Sequence, residues 1–180
     1  VVVAAAEEER FRRIKHWAGF PSQAIAFCLE LAGIGLADVD HVAVNTDPAA
    51  AWGRRLMQVL RRPPKLALIV DRIRNRTRRQ NALDELRREF HGVVIKAKLH
   101  HVPHHLAHLA SAFFVSPWDE AIAVSVDGGG DFATGAWGIG LGTSLKLDEQ
   151  VWFPHSLGIF YQAMTQFLGF PHYGDEYKVM

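Results

Sequence analysis

The sequence predicts an α/β protein, because helix signals and strand signals alternate along the chain. Residues 121–126 form a short run with little charge, bounded by turn residues, which is typical of a buried strand. Before them, apolar side chains recur at helical spacing from Leu106 to Phe113. After them, residues 134–140 are expected to form a returning strand that closes a hairpin. Interleaved helices and strands indicate an α/β class of fold.

The remaining elements follow the same alternation. Strands are expected at residues 1–6, 41–45, 93–99 and 145–153. The charged residues 7–16 between the first strand and the first helix predict a turn. Helices should begin at Pro21 and at Ser156, and Gly33 should end the first of them. The core-facing stripe of the last helix is predicted to consist of Leu157, Phe160, Tyr161, Met164, Phe167 and Leu168.

Composition bounds the class of protein. The chain has 180 residues, of which 49% are hydrophobic and 22% charged, enough for one domain with a core. A net charge of +1 gives no field that implies a nucleic-acid or membrane partner. A single cysteine excludes an internal disulfide. Neither a signal peptide nor a membrane-spanning run is evident, so we expect a cytoplasmic enzyme.

Arginines are concentrated in residues 54–88. One interpretation is a surface for nucleic acid or another anionic ligand. The other is an exposed helical insertion at about residues 50–90, placed between two strands. No aromatic side chain lies between Trp52 and Phe90 to stack on bases. We therefore favour an insertion without a role in chemistry.

The helix predicted to begin at Pro103 carries a pair of histidines. Pro103 suits the first helical position, so the helix should not extend back through Val102. His104 and His108 are four residues apart and therefore lie on one helix face. That face points toward a cleft or solvent, although a plain solvated surface would look similar. It lies nearly opposite the predicted apolar stripe of Leu106, Leu109, Ala110 and Phe113.

An aspartate and three glycines follow the strand at residues 121–126. Asp127 at the strand end is a hard ligand, and imidazoles suit iron, zinc or manganese. With His104 and His108 it would complete an open metal site of two histidines and one carboxylate. The glycines would let the backbone turn and bring N–H groups close to an anion, although hairpin turns look similar. They are Gly128, Gly129 and Gly130.

Blocks of sequence in a fixed order carry a resemblance to a known family. They are residues 5–16, 102–114, 126–130, 155–158 and 175–180. Together they resemble the O-carbamoyltransferase family, which includes nodulation-factor and antibiotic carbamoyltransferases. This family is related to the tRNA threonylcarbamoyl-transfer proteins. The resemblance implies part of an actin-like ATPase or sugar-kinase-type (ribonuclease H-like) domain, with a mixed sheet and flanking helices.

The resemblance also implies a reaction and its ligands. Carbamoyl phosphate and ATP would give carbamoyl adenylate in another domain, and this domain would pass the carbamoyl group to a hydroxyl of a small-molecule acceptor. Asp127 and Lys15 are then the expected catalytic residues, and the metal is expected to be iron. Lys15 and Lys178, together with the three glycines, are expected to bind ATP or carbamoyl adenylate.

The chain is therefore expected to be a partial N-terminal carbamoyltransferase domain, truncated at both ends and inactive alone, because nothing in it resembles the adenylate-forming domain. A metal-dependent phosphotransferase or hydrolase of the actin-like fold would use the same ligands. A third hypothesis is an inactive remnant that binds nucleotide. Detection of a carbamoylated product would distinguish the carbamoyltransferase from the other two.

Overall fold

The computed structural model of the protein describes residues 1–15, 17, 19–61 and 82–180. The described residues divide into two compact units. The first unit contains residues 1–44 and 82–100, and the second contains residues 45–61 and 101–180. Short 3-10 turns lie at Leu36–Asp38 and Asp175–Lys178. The helices and strands are, in chain order, α1 (Glu8–Arg12), α2 (Ser22–Ala32), β1 (His41–Val44), α3 (Trp52–Arg61), α4 (Ala82–Glu89), β2 (Lys98–His101), α5 (His104–Phe113), β3 (Glu120–Gly130), β4 (Ala133–Leu141), β5 (Ser144–Trp152) and α6 (Leu157–Phe167).

The first unit begins differently from its prediction. Residues 1–6 form no strand, and the predicted charged turn at residues 7–16 contains helix α1. No described strand pairs with residues 1–6, so their β-branched side chains have no ladder to join. Helix α1 is stabilised by an ion pair one turn apart, between Arg12 Nε and Glu8 Oε1 at 2.7 Å.

The first unit also contains helices α2 and α4 and the two-stranded sheet, apart from His101 at the end of β2. The predicted limits of α2 are confirmed, and Gly33 ends it in the left-handed conformation at φ 67°. Strand β1 is also confirmed, and it pairs with β2. The predicted strand at residues 93–99 is shifted, because β2 begins only where the Lys98 N–H reaches the Asp40 carbonyl at 2.9 Å. The residues before Lys98 have β propensity, but β propensity alone does not form a strand where no hydrogen-bonded pairing is made.

The second unit is built on an antiparallel sheet in the order β3-β4-β5. Its register pairs Ile122 with Ile139 and Gly138 with Leu147. Helix α5 packs across one face, where Leu109 and Phe113 form a core cluster with Ala123. Glycines on β4 allow this close approach: a Cβ at Gly140 would lie 2.5 Å from the ring of Phe113. The mixture of sheet and flanking helices confirms the α/β class.

The glycine turn is displaced from its predicted place. Strand β3 continues through Asp127 as far as Gly130, with a register shift after Val126. The hairpin turn falls on Asp131 and Phe132, which have φ values of 51° and 72°. Two consecutive positive φ values suit the right-handed twist of a two-residue hairpin. The three glycines therefore lie in an irregular end of the strand and do not form the turn.

Helix α6 confirms its predicted cap and contradicts its predicted core stripe. The Ser156 hydroxyl accepts the Ile159 N–H at 3.0 Å, as an N-cap does. However, Leu157, Phe160 and Phe167 are 65%, 60% and 82% exposed, whereas Thr165 is buried. Helical periodicity identified an apolar face, but it could not specify what covers that face.

The arginine-rich segment is described only at its flanks. The two flanks form helices α3 and α4, as predicted. The helical structure predicted for residues 62–81 falls outside the described residues. Among the described helices, none has both the length and the apolar content needed to cross a bilayer.

Candidate metal centre

Helix α5 and strand β3 bring the two predicted histidines and the predicted aspartate together. His104 Nε2 lies 2.7 Å from Asp127 Oδ2, and His108 Nε2 lies 3.4 Å from the same oxygen. The two Nε2 atoms are 3.1 Å apart. One helical turn separates the histidines, so both rings reach the same point beside β3. We call these three residues the metal triad.

The metal triad has the spacing that one cation requires. Ligand atoms about 2.0–2.2 Å from a shared ion lie roughly 2.8–3.6 Å from one another at angles near 90–110°. The separations of 2.7, 3.1 and 3.4 Å fall close to that range. A deprotonated carboxylate oxygen and the unprotonated nitrogen of each neutral imidazole are acceptors, so a cation at their centre would satisfy all three. Imidazole with carboxylate suits iron, zinc or manganese.

His105 lies between the two triad histidines in the sequence, but its side chain is buried in the core. Its ring is 1% exposed, and Nδ1 lies 2.8 Å from the Ser125 hydroxyl. Nε2 is 3.6 Å from Asp127 Oδ1, and neither atom has a hydrogen-bond partner among the described residues. Burial lowers the pKa of His105, whereas the Ala133 carbonyl and the Asp127 carboxylate act in the opposite direction.

The position of His105 corrects the predicted stripe of helix α5. The stripe was expected to contain Leu106, Leu109, Ala110 and Phe113, whereas the buried residues of α5 are His105, Leu109 and Phe113. These three are spaced by four residues, so the pattern was present in the sequence. It was missed because histidine was counted as polar, although Ser125 on β3 provides the partner that burial requires.

Two glycines let backbone and ring approach each other within the centre. A Cβ at Gly130 would lie 2.2 Å from the ring of His104, and a Cβ at Gly158 would lie 2.4 Å from the backbone of Asp127. The Ser156 hydroxyl lies 3.2 Å from the Asp127 carbonyl and 3.1 Å from the Gly128 carbonyl, to which it can donate. The start of α6 thus fixes the part of β3 that carries Asp127.

Asp131 is a residue of the centre that the sequence did not indicate. Its Oδ2 accepts the His104 N–H at 2.9 Å and the Asp47 N–H at 2.8 Å. Its Oδ1 accepts the Thr46 hydroxyl at 2.9 Å. The carbonyl of Asn45, the residue before Thr46, lies 3.3 Å from His104 Nδ1. No spacing rule connects residues 45–47 with position 131, so only the folded chain shows this contact.

The residues expected to bind nucleotide are distributed over both units. Lys15 is exposed in a turn after α1, in the first unit. Lys178 lies in the last 3-10 turn, and its Nζ is 2.7 Å from Asp175 Oδ1. The hydrogen bond to Asp175 raises the pKa of Lys178, and the same bond lowers the pKa of Asp175. The three glycines lie in β3 directly after Asp127.

A cavity of about 270 Å³ borders His104 within the second unit. Pro103 and Leu106 of the α5 region, together with Trp152 at the end of β5, give it a mostly apolar wall. Gln150 supplies a polar side chain in the same wall. At about 270 Å³ the cavity lies just below the usual volume of small-molecule pockets, so it could take only part of a ligand.

Fold and site together define an α/β domain that presents two histidines and an aspartate at one point. The sequence model of the family described as Carbamoyltransferase N-terminus matches residues 1–180. The chain belongs to this carbamoyltransferase N-terminal family. The resemblance found in the sequence is thereby confirmed.

Relatives agree with this assignment. The chain is similar to nodulation protein NolNO of Sinorhizobium fredii, with 36% identity over 181 residues, covering 99% of this chain and 25% of the relative. It is also similar to the uncharacterized protein sll1178 of Synechocystis, with 37% identity over 195 residues, covering 100% of this chain and 30% of the relative. The chain thus spans between a quarter and a third of the length of these relatives.

Proposed function

We propose that this chain is the part of a carbamoyltransferase that passes a carbamoyl group from carbamoyl adenylate to a hydroxyl of a small-molecule acceptor. The observation that carries the proposal is the convergence of His104, His108 and Asp127 in a chain that the family's sequence model matches from end to end. The proposal extends to the fold, which we propose to be part of an actin-like domain.

The proposed transfer is a substitution at the carbamoyl carbon. The acceptor hydroxyl oxygen forms a bond to that carbon and its proton passes to water, while the bond from the carbon to the adenylate phosphate oxygen breaks and AMP leaves. A divalent cation, which we propose to be iron, would act at the metal triad as a Lewis acid that polarises an oxygen. His104, His108 and Asp127 would hold it, and Asp127 thereby belongs to the reacting centre.

Basic side chains and backbone N–H groups would hold the adenylate. Lys15 and Lys178 would neutralise phosphate charge as point donors. Lys178 keeps its proton well above neutral pH, because its hydrogen bond to Asp175 raises its pKa. The N–H groups of Gly128, Gly129 and Gly130 would bind phosphate oxygens beside Asp127. The apolar cavity next to His104 would take part of the acceptor.

The test uses the complete gene product, because carbamoyl phosphate and ATP are proposed to react in a domain outside these 180 residues. The purified protein is supplied with Fe²⁺, ATP, ¹³C-carbamoyl phosphate and a panel of sugars and other hydroxyl compounds. We expect mass spectrometry to find ¹³C in an acceptor, together with AMP, pyrophosphate and the phosphate released from carbamoyl phosphate. The matched controls are His108→Ala in the triad and His155→Ala outside it.

Other products would identify the alternatives. A phosphorylated acceptor would indicate a phosphotransferase, and nucleotide hydrolysis without acceptor modification would indicate a hydrolase. Bound nucleotide without turnover would indicate a remnant. Each of these results would contradict the proposal, as would carbamoylation that His108→Ala leaves unchanged.

A further inference from the structure

We infer that Asp131 is a positioning residue for the metal centre, because it holds His104 by the backbone and, through the adjacent loop at residues 45–47, by the ring. This inference rests on the proposed metal centre. It adds a residue outside the metal triad whose removal should weaken metal binding without removing a ligand.

The first step is that the carboxylate of Asp131 accepts hydrogen bonds from several donors at once. Asp131 accepts three hydrogen bonds, from the N–H groups of His104 and Asp47 and from the hydroxyl of Thr46, at 2.9, 2.8 and 2.9 Å. Hydrogen bonds to an ionised carboxylate are stronger than neutral ones. The three donors come from two segments far apart in sequence, so Asp131 joins the loop at residues 45–47 to the start of α5.

The second step is the start of helix α5. The first N–H groups of a helix have no partner within it, and Pro103 at the N-cap has no side chain that could accept them. Asp131 supplies the acceptor for the first of these groups, at His104. Its negative charge also lies at the positive end of a ten-residue helix. The backbone of a metal ligand is therefore held by Asp131.

The third step is the ring of His104. Its Nδ1 can donate to the Asn45 carbonyl at 3.3 Å, which directs the Nε2 lone pair toward Asp127 and His108. A second hydrogen bond of this kind is what orients histidine ligands of metals. Asn45 directly precedes the residues that Asp131 holds. The His101 ring also contacts this loop, with Nδ1 3.0 Å from the Thr46 carbonyl.

The backbone at Asp131 allows a clean substitution. Its φ of 51° lies in the left-handed region, which Gly and Asn also adopt readily. Asp131→Gly removes the carboxylate without backbone strain. Asp131→Asn keeps an oxygen for the two backbone N–H groups and turns its amide toward the Thr46 hydroxyl, which can accept.

The test measures Co²⁺ binding to the complete gene product by its visible absorption spectrum. We expect Asp131→Gly to bind Co²⁺ about 10–100-fold more weakly than the wild type, with a changed spectrum. We expect Asp131→Asn to restore affinity to within a few-fold. Phe132→Gly is the matched control, because Phe132 also has a positive φ, of 72°, and the change adds a glycine to the same turn. It should bind Co²⁺ as the wild type does.

Several results would overturn the inference. Wild-type affinity and spectrum in Asp131→Gly would do so, as would an equal loss in Phe132→Gly, which would indicate a loosened turn. If Asp131→Gly does not fold by circular dichroism, Thr46→Val replaces it, and unchanged affinity there overturns the inference whereas a loss of a few-fold supports it. Absence of Co²⁺ binding in the wild type would overturn the proposed metal centre, and this inference with it.

Discussion

The two units each contain a shielded carboxylate, and the two carboxylates have different kinds of partner. Glu8 in the first unit is 6% exposed, and its Oε2 accepts the Ala24 N–H at 2.8 Å while Oε1 pairs with Arg12 at 2.7 Å. Asp127 in the second unit faces histidine nitrogens through Oδ2. Its Oδ1 is buried without a hydrogen-bond partner in the described part of the chain.

Under the proposed function, this difference distinguishes a structural carboxylate from a metal ligand. Burial alone would raise the pKa of Glu8, but the Ala24 N–H and the Arg12 guanidinium lower it, and the net shift is downward. The Ala24 N–H and the Arg12 guanidinium are donors at any ordinary pH. The partners of Asp127 are imidazole nitrogens, each of which donates or accepts a hydrogen bond according to its tautomer and protonation state. Glu8 is thus satisfied within the protein, whereas we propose that Asp127 shares a cation with His104 and His108.

The largest effect expected from this comparison is on metal binding. In the complete gene product, His104→Ala should abolish Fe²⁺ or Co²⁺ binding and carbamoyl transfer, because it removes one of three ligands. His105→Ala should retain metal, although it should lower the free energy of unfolding by roughly 2–4 kcal/mol because the ring is buried. Metal analysis of each purified variant, with thermal denaturation followed by circular dichroism, measures both quantities.

Two outcomes would break the distinction between these neighbours. Equal loss of metal in both variants would show that proximity to Asp127 is enough and that helical phase does not separate His104 from His105. Metal retained in His104→Ala and lost in His105→Ala would show that the buried ring is the ligand.

A smaller effect is expected from a methyl group inside the centre. Gly130→Ala would place its Cβ 2.2 Å from the ring of His104, so the ring must move from its present position and metal affinity should fall by about 10-fold or more. Gly128→Ala is the matched control, because a Cβ there meets nothing within 4 Å. Isothermal titration calorimetry with Co²⁺ compares the metal affinities of the two variants. Equal affinities would indicate that the ring of His104 moves without cost.

The smallest effect concerns stability at the structural carboxylate. Glu8→Gln should lower the free energy of unfolding by about 2 kcal/mol at neutral pH and leave metal affinity unchanged, because a charged acceptor is lost. Glu7→Gln is the control, since the Glu7 side chain is 66% exposed and pairs only loosely with Arg10 at 3.4 Å. Urea denaturation of both variants measures the difference.

The sign of the pH dependence follows from the lowered pKa of Glu8. Its ordinary value is 4.5, so the stabilisation by Glu8 is fully present above that pH and is lost as the pH falls through the lower native pKa. The gap between wild type and Glu8→Gln should therefore narrow in acid. A gap that stays constant down to pH 3 would show that Glu8 is not held ionised by Ala24 and Arg12.

Local chemistry along the sequence determined much of the fold. Proline before His104, glycine at position 33 and serine at position 156 act on the few residues around them, so both limits of α2 and the starts of α5 and α6 could be predicted to within a residue or so. The spacing of His104 and His108 is likewise a local property of a helix, and it correctly placed both on one side of α5.

Tertiary structure decided whatever depends on a partner distant in sequence. Residues 1–6 have β propensity but no strand to pair with, and the apolar stripe of α6 has no covering layer among the described residues. The partner of His105 is Ser125 on β3, and the partners of Asp131 include residues 46 and 47. A sequence pattern states what a residue offers, whereas burial and hydrogen bonding depend on which distant groups the fold brings to it.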